Sequence, residues 1–455
     1  MTLTTDNNQR TLPSPAQLRT VVAPAPAVVA QPRPRSAVAM SAAGVTLFAL
    51  VGASAPNHNT LTVPITWLAL PAMSDALSQT VTTAAVVLSC LGTLGMLNAR
   101  RHGWSPDPRV LFRSGALAVL VVADLTPVGS SDTASYAAYG RIAALGGDPY
   151  LTSPAQLGAP YADLVAVAWH DTPSVYGPVA TWWQAAAAFV GGERPWLTIW
   201  VLMLAGAGVF LVTGRLLIRT ADDPVRAGLL WVANPLLIGV LVAGGHLDTI
   251  VASLTVCAIH FARRTPCLRH DLIIGGLVGL ACCVKISAAL LGVALAWPLL
   301  RAGAWRRAVL QTSVATLTVV LLYSVYGLHA LEPLSAASQM VSSPSLWTVF
   351  ERLGSELLGP GATETVIRLL WPPLMLALAW ALHRRTPADC PPVVAVPFAL
   401  AFAWVLTAPW SMPWYAALAW APAALSPQGR LTGYLVATTA VLALVHNSGG
   451  HGWTA

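Results

Sequence analysis

Long apolar segments alternate with short polar segments over most of the 455-residue chain. A helix advances by about 1.5 Å per residue, so about 17 to 25 apolar residues are enough to cross a bilayer. Ten segments approach or reach this length, near 37–55, 79–98, 110–127, 197–218, 226–244, 247–263, 306–327, 364–383, 391–408 and 431–447. Three shorter apolar segments lie near 271–285, 287–301 and 412–425. The pattern predicts an all-α polytopic membrane protein with about thirteen transmembrane helices.

The composition supports this fold class. Apolar residues make up 56% of the chain and charged residues 9%, whereas about 25% of a globular protein is charged. Such a chain cannot cover itself with polar side chains, so lipid must contact most of its surface. Soluble enzymes, nucleic-acid-binding proteins and secreted disulfide scaffolds are therefore excluded. The six cysteines show no CxxC or Cys/His spacing of the kind that binds metal.

The segments also suggest how the chain is divided. Residues 1–36 are polar, rich in proline and without periodicity, which predicts a disordered cytoplasmic tail. No apolar stretch follows a basic start there, so we do not expect a cleaved signal peptide. N-terminal transmembrane helices are expected at 37–109, and a catalytic module at 110–327 that contains a long outer loop, 128–196. Residues 328–455 would supply a second outer loop and the C-terminal helices.

The basic residues predict the orientation. If the apolar segment 177–192 crossed the membrane, Arg215, Arg219 and Arg226 would lie together on the outside, against the positive-inside rule. We therefore expect this segment to lie along the outer interface. The arginines then expected inside are Arg10, Arg19, Arg33, Arg35, Arg100, Arg101, Arg109, Arg113, Arg215, Arg219, Arg226, Arg263, Arg264, Arg269, Arg301, Arg306, Arg307, Arg384, Arg385 and Arg430. The basic residues expected outside, or near the outer ends of spans, are Arg141, Arg194, Lys285, Arg352 and Arg368. This distribution predicts a cytoplasmic N-terminus and a site on the extracytoplasmic face.

The outer loop 128–196 opens with polar residues at helical spacing. Asp132, Tyr136 and Tyr139 recur at positions i, i+4 and i+7, which places them on one face of a short helix, and Arg141 follows. Asp132 is explained either as an N-terminal residue stabilised by the helix dipole or as a general base. The two roles are compatible.

Further polar residues in this loop allow two interpretations. Asp148 and Tyr150 belong to GGDPY, while His170, Asp171 and Tyr176 belong to WHDTPSVYGP. Both stretches are rich in turn-forming residues, so a purely structural role is one interpretation. The other places these side chains in a substrate pocket. The neighbouring tryptophans either stack on a sugar or form the aromatic belt of the membrane interface.

Three more ionisable residues lie near the same face. Pro235 is expected to bend the fifth predicted span, which ends outside in GGHLD with His246 and Asp248. Lys285 is the only lysine and separates two short apolar segments. An ammonium is costly in lipid, so Lys285 either faces an anion site or extends to the headgroups.

Together these groups match the requirements of a lipid-linked sugar phosphate. Its phosphate needs cations, its sugar needs polar contacts, and transfer to a hydroxyl needs a base. The sequence contains neither a GxxxxGK[ST] loop nor a GxGxxG turn after a strand, so no nucleotide site is indicated.

The motifs SDTASYAAYGR, GGDPY, PSVYGP, ANPLLI and GGHLD occur in this order between Val110 and Lys285. In this respect the chain resembles the actinobacterial polyprenol-phosphate-mannose-dependent α-(1→6)-mannopyranosyltransferases of the A/B type, which are C-class (GT-C) membrane glycosyltransferases. In that family a histidine–asparagine–aspartate element is usual, whereas here Leu247 stands at the middle position.

The resemblance implies an inverting mannosyltransferase. By this resemblance Asp132 would be the catalytic base, in a protein of the bacterial plasma membrane. From the shared outer placement of the charged groups, and not from the resemblance, we expect Arg141, Lys285 and His246 to hold the donor phosphate. The substrate pocket would be formed by Tyr136, Tyr139, Asp148, Tyr150, His170, Asp171, Tyr176 and Asp248. The expected partners are a polyprenyl-phosphate sugar donor, a lipid-anchored mannan acceptor of lipomannan or lipoarabinomannan type, and membrane lipids. No metal site is predicted, although the resemblance leaves a divalent cation open as cofactor. The alternatives are transfer of another lipid-linked sugar, a transporter or flippase for a lipid-linked solute, and an inactive scaffold.

Overall fold

Proline marks the beginning of many helices. The computed structural model describes residues 34–63, 68–343 and 345–447. Within these ranges nine of the twenty α-helices start at a proline. The proline ring fixes φ near the helical value, and its missing N–H would have no partner in the first turn anyway, so proline favours this position.

The first half of the described chain is entirely helical apart from loops and one isolated bridge between Thr60 and Val128. Its α-helices are α1 (Pro34–Ala53), α2 (Asp75–Arg101), α3 (Pro108–Ala123), α4 (Asp132–Ala144), α5 (Pro154–Leu157), α6 (Val167–His170), α7 (Pro178–Gly191), α8 (Pro195–Thr220), α9 (Pro224–Leu230) and α10 (Pro235–Leu237). A π-helix, Ile238–Ala243, continues α10.

The second half continues in the same way. Its α-helices are α11 (Asp248–Ala262), α12 (Leu268–Cys282), α13 (Ala289–Arg301), α14 (Trp305–Tyr323), α15 (Glu332–Ala337), α16 (Leu346–Leu358), α17 (Pro360–His383), α18 (Pro392–Thr407), α19 (Ala417–Leu425) and α20 (Leu431–Val445). Short 3₁₀ segments precede α13 and α19, at Ile286–Ala288 and Pro413–Ala416.

Every apolar segment predicted to span the membrane contains helix. In the part of the chain that the structure describes, five helical stretches are long and apolar enough to cross a bilayer: α1, α2, α8, Pro224–Ala243 and α17. A sixth arises if α14 is joined with Leu328–Ser335, which is bent from it by 112°. The prediction of an all-α polytopic membrane protein is therefore confirmed, while the number of thirteen spans stays a prediction.

The predicted bend at Pro235 is confirmed as a break between α9 and α10. The Asn234 side chain accepts hydrogen bonds from the backbone N–H groups of Leu236 and Leu237, at 3.1 and 3.4 Å. The hydroxyl of Thr93 donates to the same Asn234 oxygen at 3.2 Å. These contacts cap the new helix inside the protein, where water cannot do so.

The helix α4 is packed tightly against α7 within the segment 128–196. A Cβ atom at Gly140 would lie 2.3 Å from the carbonyl oxygen of Gln184 on α7, so only glycine permits this approach. A Cβ atom at Gly177, before α7, would lie 2.2 Å from the Cys283 carbonyl oxygen. These contacts hold both α4 and the segment beside Lys285 against α7 and the residue that precedes it.

The structure shows where the first predicted span begins and that the segment 177–192 is helical. Helix α1 begins at Pro34, three residues before the predicted start of the first span at residue 37. Residues 1–33 lie outside the described ranges. The segment 177–192 is helical, as α7, with Phe189 and Val190 exposed on it. That α7 lies along the interface, and that the chain divides at residues 109 and 327, stay predictions.

Candidate active site

Asp132 occupies the first position of α4, as its spacing predicts. The backbone N–H of Asp132 donates to the Ser130 hydroxyl at 3.1 Å, which fixes the start of the helix. One turn later the Tyr136 hydroxyl donates to Asp132 Oδ2, also at 3.1 Å. The carboxylate is therefore oriented from within its own helix, at the end where the helix dipole favours negative charge.

A buried histidine approaches this carboxylate from a turn of the chain. The ring nitrogen Nδ1 of His246 lies 3.4 Å from Asp132 Oδ2, an ion-pair distance that is longer than a good hydrogen bond. The imidazole stacks on the Trp414 ring, with 3.7 Å between the centroids and 13° between the planes. The turn requires Gly245, because its φ is +66° and a Cβ atom would clash with Met203 and Thr133.

A second charged pair lies beside the first. Lys285 Nζ donates to both oxygens of Asp248, at 3.1 and 3.0 Å. The same ammonium lies 4.0 Å from the centroid of the Tyr415 ring, in a cation–π contact. Both side chains are largely buried, with 14% of Lys285 and 8% of Asp248 exposed. The lysine therefore points into the protein rather than toward a lipid surface.

Lys285 reaches this position because the chain is not helical there. Its backbone is extended, with φ −150° and ψ 123°, between the end of α12 and the segment Ile286–Ala288. An interruption between two apolar helices turns the side chain toward Asp248, which begins α11. This break explains why the apolar segments on either side of Lys285 are short.

The charges around Asp132 favour its ionised form. Burial raises the pKa of the Asp132 carboxyl, but His246, Lys285 and Tyr136 outweigh burial, and the pKa lies below its usual value of 3.8. Asp132 lies in the segment 128–196, outside the helices that are long and apolar enough to cross a bilayer. It is therefore a carboxylate at neutral pH and can accept a proton.

A cavity of about 340 Å³ opens in front of these groups. Asp132 and Lys285 both line it, whereas His246, Asp248 and Tyr136 lie behind them. The remaining wall contains small, aliphatic and serine side chains together with eight aromatic ones, Tyr139, Trp169, Tyr176, Trp371, Trp404, Trp410, Trp414 and Tyr415. The arrangement offers one anionic and one cationic group to a ligand held between flat apolar surfaces.

Two of the predicted pocket tyrosines form part of this wall. The Tyr139 hydroxyl donates to the Thr172 carbonyl at 2.8 Å, which ties α4 to the loop before α7. Tyr176 packs edge-on against the Tyr136 ring, with the centroids 5.0 Å apart. The tyrosines of α4 and the loop residue Tyr176 thus form one aromatic cluster around Asp132.

Asp148 and Tyr150 lie in a separate polar group. One oxygen of Asp148 accepts from the Tyr150 backbone N–H at 2.8 Å, and the other lies 2.7 Å from His329 Nε2. The Tyr150 hydroxyl lies 2.9 Å from the Thr181 hydroxyl. These contacts join the segment 128–196 to the segment after α14. Neither Asp148 nor Tyr150 lines the cavity.

His170 and Asp171 come at the end of α6 and also stay outside the cavity wall. Their neighbour Trp169 does reach the cavity and meets the Trp410 ring edge-on, with 6.3 Å between the centroids. The motif WHDTPSVYGP therefore contributes aromatic groups, Trp169 and Tyr176, rather than its ionisable ones.

Arg141 points away from the cavity. Its guanidinium pairs with Glu193, whose side chain is 79% exposed, just before α8. Because α4 has about 3.6 residues per turn, the nine positions from Asp132 to Arg141 place them on opposite faces. The role of Arg141 in holding a phosphate stays a prediction, and the geometry gives it no contact with the cavity.

The sequence interpretation missed the segment around Trp414. Trp414 and Tyr415 lie at the start of the span that we predicted at 412–425, and Trp410 lies just before it, in the stretch APWSMPWYAA. In the structure Pro413–Ala416 is a 3₁₀ turn, and α19 begins only at Ala417. Two prolines and three large aromatics at the start of an apolar segment were the available signal.

No group of three or more His, Cys, Asp and Glu side chains is arranged to hold a metal ion within residues 34–63, 68–343 and 345–447. The two carboxylates nearest the cavity have His246 and Lys285 as partners instead.

The fold and the cavity define an all-helical membrane protein with a buried set of opposite charges beside an aromatic cavity. Residues 37–301 match the family model described as "Alpha-(1->6)-mannopyranosyltransferase, N-terminal domain". This match covers more than half of the chain, and the chain therefore belongs to that family, as its motifs predicted.

Individual relatives match this chain in sequence over part of their own length. A probable alpha-(1->6)-mannopyranosyltransferase of Mycolicibacterium smegmatis is 32% identical over 237 residues, which are 49% of this chain and 42% of that protein. An alpha-(1->6)-mannopyranosyltransferase of Mycobacterium tuberculosis is 32% identical over 233 residues, 49% of this chain and 39% of that protein. The matched stretches thus cover less than half of these relatives.

Among solved structures, ArnT from Cupriavidus metallidurans, crystallised with undecaprenyl phosphate, is similar with a TM-score of 0.36 and 17% identity. The similarity covers 74% of this chain and 59% of that one.

Proposed function

We propose that this protein transfers mannose from a polyprenyl-phosphate mannose donor to a growing α-(1→6)-mannan of lipomannan or lipoarabinomannan type. The reaction would take place on the extracytoplasmic face of a bacterial plasma membrane. The observation that carries the proposal is that Asp132 and Lys285 line the same cavity, in a chain of the mannopyranosyltransferase family.

An apolar groove beside the cavity supports a lipid-linked donor. The groove has a volume of about 470 Å³ and lies between α12, α13 and α14. Ile286 lines both the groove and the cavity, and it directly follows Lys285 in the chain. A prenyl chain in the groove would bring its phosphate to the Lys285 ammonium and its sugar into the aromatic cavity.

The proposed reaction is a single displacement. The acceptor hydroxyl oxygen attacks the anomeric carbon of the mannose, and Asp132 takes the hydroxyl proton. The bond between the anomeric carbon and the phosphate oxygen breaks, and polyprenyl phosphate leaves with the electron pair. Lys285 stabilises the charge that develops on the leaving phosphate. A β-linked donor then gives an α-linked product, with no covalent intermediate on the protein.

The groups behind the cavity wall position these two side chains. Tyr136 and His246 contact the same oxygen of Asp132, Oδ2, so the other oxygen, Oδ1, would take the acceptor proton. Asp248 holds the Lys285 ammonium through both carboxylate oxygens. Because one partner of each pair is buried behind the wall, the reacting groups need little rearrangement when the substrate binds.

Membranes that contain the protein would be incubated with radiolabelled polyprenyl-phosphate mannose and a short α-(1→6)-mannoside. We expect a longer mannoside that an α-(1→6)-specific mannosidase shortens again. Matched incubations with polyprenyl-phosphate arabinose and polyprenyl-phosphate glucose test the sugar, and membranes with the Asp132→Asn variant supply the background.

Transfer of arabinose or glucose without mannose would replace the proposed donor by another lipid-linked sugar. Movement of the labelled donor across vesicles made with the wild type, with no product from any sugar, would instead indicate a flippase.

A further inference from the structure

Four arginines converge on a cavity at the end of α3 that lies away from Asp132. The cavity has a volume of about 400 Å³ and lies between the first turns of α3 and the last turns of α8. Its wall consists mainly of Arg109, Arg113, Arg215, Arg219, Phe112 and Ile218. Helix α3 has 16 residues, about 24 Å, and the chain runs from its other end to Asp132.

The spacing of the arginines along α3 and α8 explains why all four line the same cavity. Arg109 and Arg113 are four residues apart on α3, and Arg215 and Arg219 are four residues apart on α8. Residues at this spacing lie on the same helical face, so each helix contributes a row of two guanidinium groups. Arg215 is also held over the Phe112 ring, 5.8 Å from its centroid. Like charges at this spacing repel each other, so the cavity favours an anionic ligand.

The carboxylates nearby serve other partners. Asp107 accepts from the backbone N–H of Arg109 at 2.8 Å and caps α3. In the loop after α8, Asp222 pairs with Arg263 at 2.8 Å and Asp223 with Arg100 at 3.2 Å.

The cavity arginines differ from several other arginines of the protein in their ion pairs. Arg100, Arg263 and Arg307 each have a carboxylate partner. Within the described ranges no ion pair to a carboxylate is formed by Arg109, Arg113, Arg215 or Arg219. The positive-inside rule explains why arginines are abundant at this end, but it does not require four of them to line one cavity without a counter-charge.

We propose that this cavity binds the headgroup of an anionic phospholipid that carries two phosphates. Each guanidinium presents a planar set of donors that matches phosphate oxygens two at a time. Basic pockets between transmembrane helices at the membrane surface are suited to such headgroups. Phe112 and Ile218 give the site an apolar side for the glycerol and the first carbons of the acyl chains. This site is separate from the transferase cavity, and its test does not depend on transferase activity.

The test uses the full chain in phosphatidylcholine nanodiscs that contain a small fraction of cardiolipin, with two phosphates, or of phosphatidylglycerol, with one. Native mass spectrometry measures the lipid that stays on the protein after release from the nanodisc. We expect cardiolipin to be retained in preference to phosphatidylglycerol. Replacing Arg109, Arg113, Arg215 and Arg219 by glutamine should lower cardiolipin retention about tenfold.

The matched control replaces four exposed arginines outside the cavity, Arg264, Arg269, Arg384 and Arg385, by glutamine, and it loses the same total charge. We expect its cardiolipin retention to stay within about twofold of the wild type. A third variant has lysine at the four cavity positions, so it keeps the positive charge that sets the orientation in the membrane but loses the planar guanidinium donors. It should retain cardiolipin about threefold less well than the wild type.

Equal losses in the two glutamine variants would overturn the proposal, because they would show attraction by net charge alone. Full retention by the cavity glutamine variant would overturn it as well. Soluble pyrophosphate is added to wild-type nanodiscs as the remaining arm. Displacement of cardiolipin only at a large excess of pyrophosphate supports a lipid ligand, whereas pyrophosphate binding without any lipid adduct would overturn the lipid assignment.

Discussion

The two ends of α4 carry charges of very different character. At the first end Asp132 faces a buried imidazole, a buried ion pair and a ring of aromatics. At the other end Arg141 pairs with Glu193, whose side chain is 79% exposed. Both residues lie in one 13-residue helix of one loop. A charge in the segment 128–196 therefore belongs to the site only if it lies on the helix face that meets the cavity.

The difference has energetic consequences. Removing one member of a buried set of charges leaves its partner without compensation in a low-dielectric environment, which costs about 3–5 kcal/mol for a buried ion pair. Removing Arg141, whose own side chain is 14% exposed, leaves only the 79% exposed Glu193 without a partner, so water solvates that carboxylate and the cost is about 0–1 kcal/mol. Substitutions at the first end of α4 should therefore change function strongly, and substitutions at the other end should change it little.

The largest effect is expected from Asp132→Asn. Asparagine keeps the size of the side chain but cannot take up the proton of the acceptor hydroxyl, so we expect kcat to fall about 10²- to 10⁴-fold with little change in donor KM. The wild type should show no loss of rate from Asp132 between about pH 5 and 8, because its lowered pKa keeps it ionised there. Initial rates of mannose transfer at several pH values measure both effects. A variant with near-wild-type kcat would remove Asp132 from the role of base.

Lys285→Gln should have the next largest effect. It removes a cation from the cavity wall and also leaves Asp248 buried without its partner. The double variant Lys285→Gln with Asp248→Asn separates the two consequences. We expect the double variant to recover the thermal stability lost by the single one, while its apparent donor KM stays raised about tenfold or more. Recovery of donor KM together with stability would show that Lys285 only neutralises Asp248.

The sequence predicts most of the helices, since each apolar segment needs helical backbone hydrogen bonds in lipid. It also predicts that Asp132, Tyr136 and Tyr139 share a face, because positions i, i+4 and i+7 differ little in angle. Arg141 lies nine positions after Asp132, and nine steps of about 100° bring it to the opposite face of the same helix. The helical period therefore separates Arg141 from Asp132 as clearly as it groups the two tyrosines with it.

Other parts of the site were not accessible in this way. Asp248 contacts Lys285, and His246 contacts Trp414, although the members of each pair are far apart in the sequence. No local spacing predicts these pairs. Trp414 and Tyr415 reach the cavity because Pro413 begins a 3₁₀ turn inside an apolar segment. A hydrophobic pattern alone predicts one continuous span over this segment.

A smaller effect is expected from His246→Gln. His246 contacts Asp132 from behind the cavity wall, so its loss should lower kcat about tenfold while donor KM changes less than about twofold. Trp414→Phe is the matched variant, because it keeps a flat ring beside His246 and should cost less. A rise in donor KM with unchanged kcat would contradict the positioning role and would return His246 to the predicted role in binding the donor phosphate.

Arg141→Gln should have the smallest effect. Its partner Glu193 is mostly exposed, and neither residue lines the cavity, so we expect kcat and donor KM to stay within about twofold of the wild type. Glu193→Gln serves as control, since it breaks the same surface pair from the other side. The predicted role of Arg141 in holding the donor phosphate gives a different result: Arg141→Gln would raise donor KM about tenfold or more while Glu193→Gln would not. Such a split would show that α4 turns Arg141 toward the donor when the lipid binds, and the contrast between the two ends of α4 would then hold only for the protein without its substrate.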